Sequence, residues 1–256
     1  MYHYDLSIIL PGIRNQFWVQ VYEQIKESCK NYSYEVIFSG PRSLPPELEN
    51  CKNVKHIKHY GHPSRAVHLA SLVADGEFMT WLTDDALIEP DAIDGALSLL
   101  KSVNHSVDIV AVRYTEGVNH GGGVEVEDYY RCGHHQLYRP LHLIDPNWKT
   151  PIVMMVNTDY YKSVGGLDCR YVHINMNVHD LAFRMQRNGS VVYLSPTIVM
   201  RCDWDVEWAK DPLRAAYYDD DMVLFKEMYS ANELGPIVID ENWQDSEPVW
   251  SKRFKV

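Results

Sequence analysis

The sequence predicts an α/β fold, in which a mostly parallel central sheet is flanked by helices on both faces. Strand-like and helix-like segments alternate through the first hundred residues, and prolines and glycines separate them. The strand-like segments are nearly continuous apolar runs, which is typical of strands that are buried on both faces. An order of β-α-β-α-β-α implies parallel strands joined by helical crossovers.

The first half of the chain supplies most of this pattern. Asp5–Leu10 is a β-rich run that ends at Pro11-Gly12, and the apolar positions from Trp18 to Cys29 have helical spacing. Asp75-Gly76 ends a second helix, which starts near Ser64. The further strands expected here are Tyr34–Ser39, Val54–Ile57 and Glu77–Leu82, and a third helix covers Ile93–Leu100.

The second half is less regular. Val107–Arg113, Ile152–Val156 and Val191–Leu194 are expected strands, Thr158–Val164 is a short helix, and a longer helix contains Val178, Leu181 and Met185. Gly117–Gly123 is expected to be a flexible loop, and residues from about 201 to 256 a helical tail with loops. Because no internal repeat or low-complexity linker interrupts the chain, we expect one domain over residues 1–256.

Composition excludes several classes of protein. The net charge of −11 argues against a nucleic-acid binder, which needs a basic surface to neutralise phosphates. The longest apolar runs are far shorter than the roughly 20 residues that cross a bilayer, so no transmembrane segment is expected. The five cysteines are widely spaced, which favours reduced thiols and a cytoplasmic location. The sequence leaves the oligomeric state open.

Asp84 and Asp85 form the sharpest chemical feature. An apolar strand delivers both to its carboxyl end, where open α/β sheets bind their ligands. Adjacent carboxylates repel each other unless a positive charge lies beside them. A hard divalent cation that also binds diphosphate oxygens meets this need. The alternative interpretation is that one of the two aspartates only caps the following turn.

Several sequence blocks follow one another along about three quarters of the chain. They are Ser7-Ile-Ile-Leu-Pro-Gly12, Gly61-His-Pro-Ser-Arg-Ala-Val-His-Leu-Ala70, Ala74-Asp-Gly-Glu-Phe-Met-Thr-Trp-Leu-Thr-Asp-Asp85, Gly165-Gly-Leu-Asp168 and Asp180-Leu-Ala-Phe-Arg184. In this order the blocks resemble glycosyltransferase family 2. This resemblance implies a GT-A fold, with a nucleotide-binding half at about residues 1–105 and an acceptor-binding half at about 106–200.

The resemblance implies a metal-dependent, inverting enzyme that moves a sugar from a nucleotide diphosphate sugar to a hydroxyl of a glycan-type acceptor. Mn²⁺ or Mg²⁺ would bind Asp85, and Asp84 would meet the ribose or the outer shell of the metal. Arg65 would contact the diphosphate through its guanidinium; an ordinary surface arginine is the alternative. The turn from Pro11 through Gly12 to Arg14 would contact the nucleotide.

Two positions of the donor half depart from the family. Ser39-Gly40 stands where relatives carry an aspartate that binds the nucleobase, so base recognition would rest on backbone groups and the Pro11–Arg14 turn. Thr83 replaces the first aspartate of the D-x-D motif. Uridine is therefore not implied as the nucleoside.

The acceptor half departs from the family at the position of the catalytic base. Inverting relatives carry an acidic pair where this chain has Asn177 and Val178, and neither side chain can take a proton. Asp180 is therefore the predicted base, with His179 as the next candidate. The alternative is that Asp180 stabilises the start of its helix or pairs with Arg184 at i+4.

Two other functions stay open at this point. A catalytically silent sugar- or nucleotide-binding module would keep the same fold without the base. A sugar-phosphate nucleotidyltransferase would need a longer glycine-rich, basic phosphate loop than Pro11-Gly-Ile-Arg14 provides.

Overall fold

The structure, a computed structural model, describes residues 2–58, 63–116, 124–125, 149–168, 170–171 and 173–202. Its main element is a seven-stranded sheet with the strand order β10-β6-β9-β4-β1-β2-β3. The strands are β1 (Tyr4–Pro11), β2 (Tyr34–Gly40), β3 (Val54–Lys58), β4 (Gly76–Trp81), β6 (Ile109–Ala111), β9 (Met154–Asn157) and β10 (Val192–Leu194).

Within the residues that the structure describes, five α-helices flank this sheet. They are α1 (Trp18–Ser28), α2 (Pro63–Leu72), α3 (Ala92–Ser102), α4 (Thr158–Ser163) and α5 (Ile174–Arg187). α1 packs against α3, whereas α2 packs against α5 and against β1 and β2. The prediction of a mostly parallel sheet flanked by helices is confirmed.

β1 lies at the centre of the core. It pairs in parallel with β2 on one side and with β4 on the other, and residues 6–10 are fully buried. Burial on both faces explains why most residues of β1 are apolar. Its carboxyl end, at Pro11, lies next to the carboxyl ends of β2 and β4.

One strand of the main sheet runs against the others. β9 was expected as a strand, and it pairs antiparallel with both β4 and β6. Periodicity and burial predict that a segment is a strand, but they carry no information about its direction. The direction depends on how the chain returns to the sheet.

A second, smaller sheet has the order β5-β11-β7-β8. Its strands are β5 (Ala86–Ile88), β7 (Tyr114–Glu116), β8 (Val124–Glu125) and β11 (Met200–Cys202). The sequence did not reveal these four strands, which have only two or three residues each. Residues 201–202, expected in a helical tail, belong to β11 instead.

Parts of the chain lie outside the described residues: the expected loop at Gly117–Gly123, and 203–256, the remainder of the expected tail. Across the described ranges, no helix combines the length and apolar character needed to span a bilayer. The single-domain organisation and the cytoplasmic location stay predictions.

Candidate active site at the carboxyl edge of the main sheet

The acidic pair lies between the two sheets. Asp84 and Asp85 follow β4 and precede β5, and Leu82 extends the ladder of β4 by donating to the Ile9 carbonyl at 2.9 Å. The Asp84 side chain is buried, with 1% of its surface exposed, while Asp85 is 12% exposed. Asp85 is therefore the carboxylate that a ligand can reach.

Arg14 lies between the two carboxylates. Its Nε donates to Asp84 Oδ1 at 2.8 Å and its Nη1 donates to Asp85 Oδ2 at 2.6 Å, while its Nη2 also contacts Asp84 Oδ1. The side chain is 12% exposed. The repulsion between adjacent carboxylates is thus relieved by a guanidinium from the loop after β1.

Asp84 also fixes the loop that carries Arg14. Its Oδ2 accepts from the backbone N–H of Arg14 at 2.8 Å and from Trp18 Nε1 at 3.4 Å. With the two guanidinium contacts on Oδ1, four donors meet a carboxylate that has about four acceptor positions. The expected contact of Asp84 with ribose or with the outer shell of a metal stays a prediction.

Two glycines bring the loops together at this edge. The N–H of Gly12 donates to the Ser39 carbonyl at 3.0 Å. A Cβ on Gly12 would overlap Asp84 Oδ2, and a Cβ on Gly40 would overlap the carbonyl oxygen of Gly12. Both positions therefore need glycine because of close approach, and the ends of β1 and β2 present backbone atoms at the edge.

Pro11 and Ser39 lie side by side, because they are register partners at the ends of β1 and β2. Ser39 is fully buried, and no residue within the described ranges hydrogen-bonds its Oγ. The structure thus brings together the predicted donor-site residues Pro11, Gly12, Arg14, Ser39, Asp84 and Asp85. Arg65 lies in the first turn of α2, and its contact with a diphosphate stays a prediction.

Trp18 is a part of this site that the sequence did not reveal. Its helical spacing indicated only a core position, yet its indole N–H reaches Asp84. The ring stacks on Phe38 at 4.7 Å between centroids and lies 5.9 Å from the ring of His56. A polar-tipped aromatic directly after a loop of functional residues is the signal that could have indicated this role.

Asp85 has oxygen chemistry suited to a hard cation. Burial raises the pKa of its carboxyl, the nearby Arg14 opposes that effect, and the charge of Asp84 adds to it. Within the described ranges, no third His, Cys, Asp or Glu joins the pair to form a larger metal-binding group. Mg²⁺ is commonly bound by one or two carboxylates together with substrate phosphates, so the residues fit an ion that is shared with a diphosphate.

The second cluster of predicted residues lies in α5. Arg184 donates to Asp180 Oδ2 from Nε at 3.0 Å and from Nη2 at 2.7 Å. Arg184 also donates to the carbonyls of Val164 and Gly166, the latter at 2.6 Å. Asp180 and Arg184 are 0% and 1% exposed. These contacts match the i+4 ion pair that was the alternative to a base, and the base itself stays a prediction.

Asn177 holds the backbone of Asp168, the last residue of the Gly165-Gly-Leu-Asp168 block. Its Oδ1 accepts from the Asp168 N–H at 2.9 Å and its Nδ2 donates to the Asp168 carbonyl at 2.8 Å. The Asp168 carboxylate pairs with Arg170 at 2.7 Å. Burial raises the pKa of Asp168, Arg170 opposes this, and the charge of Asp180 adds to it. His179, the other candidate base, is 2% exposed.

Comparison with known proteins supports the fold. The sequence matches no protein-family model and no curated protein. The structure of S. aureus TarS 1–349 in complex with UDP-GlcNAc has a TM-score of 0.63 at 14% identity, covering 97% of this chain and 71% of that chain. A second structure of TarS 1–349 has a TM-score of 0.54 at 15% identity, covering 78% of this chain and 60% of that chain.

TarS itself matches with a TM-score of 0.58 at 15% identity over 94% of this chain. The present chain spans 60% of the length of TarS 1–349 in that second match and 41% of the length of TarS. At these identities the likeness shows a shared GT-A-like fold.

Proposed function

We propose that the chain is a glycosyltransferase that takes a sugar from a nucleotide diphosphate sugar and passes it to an acceptor hydroxyl. The observation that carries this proposal is the edge where β1, β2 and β4 end, with an acidic pair and an arginine beside glycine backbones. The fold shared with TarS, whose structure was determined with UDP-GlcNAc, supports it.

The donor side can be derived from the chain's own groups. Gly12 and Gly40 let the ends of β1 and β2 and the Asp84 side chain lie close together, which fixes the edge at which a diphosphate would bind. The Arg14 guanidinium can bind phosphate oxygens through two parallel N–H bonds. Asp84 holds the Arg14 main chain, and with it the loop, in place. The nucleobase would then lie near the end of β2, beside Ser39.

The proposal includes dependence on a divalent metal ion, with Asp85 as its ligand. Two carboxylates and one guanidinium leave the site one net negative charge, which disfavours an incoming diphosphate. Mn²⁺ or Mg²⁺ would supply the missing positive charge and stabilise the departing diphosphate as a Lewis acid. Asp85 would hold it through a hard oxygen donor.

Inversion by a single in-line displacement is the mechanism that the family resemblance implies. Asp180 is the predicted base for the acceptor hydroxyl, and His179 is the next candidate. A base at Asp180 would require its carboxylate to meet the acceptor despite complete burial and the pair with Arg184. Binding both substrates in line would supply much of the rate enhancement, because it removes their relative freedom.

A second candidate function follows from these same contacts. Asp180 is paired with Arg184, and Asn177 bridges to Asp168, so the positions near the expected base have structural contacts. This observation favours a nucleotide-sugar-binding module that keeps the fold without transfer. Release of nucleoside diphosphate from a donor in the presence of acceptors distinguishes the enzyme from the module.

Calorimetric titration of nucleoside diphosphates and their sugars in the presence of Mn²⁺ tests the proposal. We expect saturable binding to the wild type and loss of metal-dependent binding in Asp85→Asn, because a neutral amide cannot balance a divalent charge. Glu27→Gln, which changes an exposed carboxylate on α1, is the matched control and should bind normally. A wild-type protein that binds none of these nucleotides would overturn the proposal.

A further inference from the structure

We propose that Arg14 is the resident cation of the Asp84–Asp85 pair, and that it exchanges Asp85 for the donor diphosphate when a divalent ion binds. Metal and diphosphate should therefore bind cooperatively, each weakly without the other. This inference rests on the proposed donor site, but its test uses Mn²⁺ binding and requires no sugar transfer.

The contacts of Arg14 divide into a fixed part and an exchangeable part. The main-chain N–H is bonded to Asp84 Oδ2, and Trp18 Nε1 reaches the same oxygen. These two bonds do not involve the guanidinium, so the loop can keep its place when the side chain moves. The Nη1 contact to Asp85, at 2.6 Å, is made at the partly exposed end of the pair.

A divalent ion alone meets an obstacle at this position. It needs the oxygens of Asp85, and one of them accepts a bond from Arg14. Like charges a few ångströms apart repel, and the repulsion is strongest where solvent is excluded. If the guanidinium leaves the pair, it loses charge-assisted hydrogen bonds in a place where its side chain is only 12% exposed.

A diphosphate removes the obstacle because it offers Arg14 new acceptors. A guanidinium can bind two phosphate oxygens through two bonds, which replaces what it gives up at Asp85. The ion can then use Asp85 and the phosphate oxygens together. By linkage, the factor by which diphosphate tightens metal binding equals the factor by which metal tightens diphosphate binding.

Arg14→Met tests the exchange, because it keeps an unbranched side chain and removes the charge. Free Mn²⁺ measured by electron paramagnetic resonance gives the affinity in the absence of nucleotide. We expect Arg14→Met to bind Mn²⁺ about 5–150-fold more tightly than the wild type, the usual range of coupling between sites. Adding Asp85→Asn to this variant should abolish the gain, which assigns the ion to Asp85.

Arg187→Met is the matched control, since it removes the same charge from the last turn of α5, where Arg187 stacks on Phe183. Its Mn²⁺ affinity should equal that of the wild type. Diphosphate titrations with and without Mn²⁺ complete the test. The increase in diphosphate affinity caused by Mn²⁺ should be large in the wild type and much smaller in Arg14→Met. Mn²⁺ also binds free diphosphate in solution, but this effect is the same in both titrations and does not alter the comparison.

A folded Arg14→Met protein with Mn²⁺ affinity equal to or weaker than the wild type would overturn the exchange. If Arg14→Met does not fold, Arg14→Lys decides. Lysine keeps the charge but lacks the planar fork of five donors, so it holds the two carboxylates less firmly than a guanidinium does. We therefore expect an intermediate gain, and an unchanged affinity contradicts the inference. Tighter Mn²⁺ binding without any diphosphate binding would support the resident cation and overturn both the exchange and the proposed function.

Discussion

Arg14 and Arg184 each pair with a buried aspartate, but their surroundings differ. Arg14 joins residues 70 and 71 positions away in the sequence, and both it and Asp85 keep 12% of their side chains exposed. Arg184 pairs within one helix, both partners are at most 1% exposed, and the same guanidinium holds two backbone carbonyls.

The difference suggests two uses of the same chemistry. The Arg184 guanidinium contacts Asp180 and two backbone carbonyls, and so connects α5 to the Gly165-Gly166 turn, where both glycines have positive φ. The Arg14 guanidinium lies at an edge that a ligand can reach, while its backbone is held separately. We therefore interpret the Arg184–Asp180 pair as a structural clamp and the Arg14–Asp85 contact as an exchangeable one.

Asp180→Asn should have the largest effect, because it leaves the buried Arg184 charge without its partner. We expect a loss of about 3–5 kcal/mol in the free energy of unfolding, measured by urea denaturation. Glu23→Gln is the matched control, since it breaks the exposed Glu23–Lys26 pair on α1. It should leave the free energy of unfolding nearly unchanged, because an exposed ion pair contributes little.

The same variant tests the general base. If Asp180 takes the proton from the acceptor, turnover should fall about 10²–10⁴-fold while donor affinity stays nearly constant. Wild-type stability together with such a fall would contradict the clamp. Full activity in the folded variant would instead remove Asp180 as the base and leave His179 as the next candidate.

Gly40→Ala should have the next largest effect, and it acts at the edge of the main sheet that carries Arg14 and Asp85. Its methyl group would overlap the Gly12 carbonyl, a backbone atom that cannot rotate away. We expect a loss of about 1–3 kcal/mol, with weaker nucleotide binding, by thermal unfolding and calorimetry.

Gly95→Ala in α3 provides the contrast to Gly40→Ala. There the added methyl group meets Pro196 at an acceptable 3.4 Å. Because alanine favours a helix, this variant should gain about 0.5–1 kcal/mol. Equal effects of the two substitutions would show that the ends of β1 and β2 do not need their close approach.

The smallest effect is a pH dependence near Trp18. Burial lowers the pKa of His56, although its contact with the Arg42 backbone opposes this. The unfolded chain therefore binds a proton more readily, and His56 reduces stability as pH falls below about 6.5. His56→Phe should lessen the loss of stability between pH 7.5 and 5.5, measured by urea denaturation at each pH. Identical pH profiles for wild type and His56→Phe would contradict this assignment.

Sequence reasoning reached most of the main sheet because the information there is local. Four of residues 6–10 are apolar because β1 is buried on both faces, and Trp18 and Ile25 lie at helical spacing. The contact between Arg14 and Asp84 could not be found this way, because 70 residues separate the two and each is a common loop residue. The direction of β9 and the strands of the small sheet also depend on long-range pairing.

The small sheet bears on the order in which the molecule folds. β5 begins directly after Asp85, and its partner β11 lies more than a hundred residues further along the chain, with Ile88 opposite Met200. Closing such a long loop is slow, because its entropy is lost before the contacts form. The parallel strands β1, β2 and β4 can assemble from the first eighty or so residues. We expect β5, and with it the Asp85 end of the acidic pair, to be fixed late, so that nucleotide binding reports a completed fold.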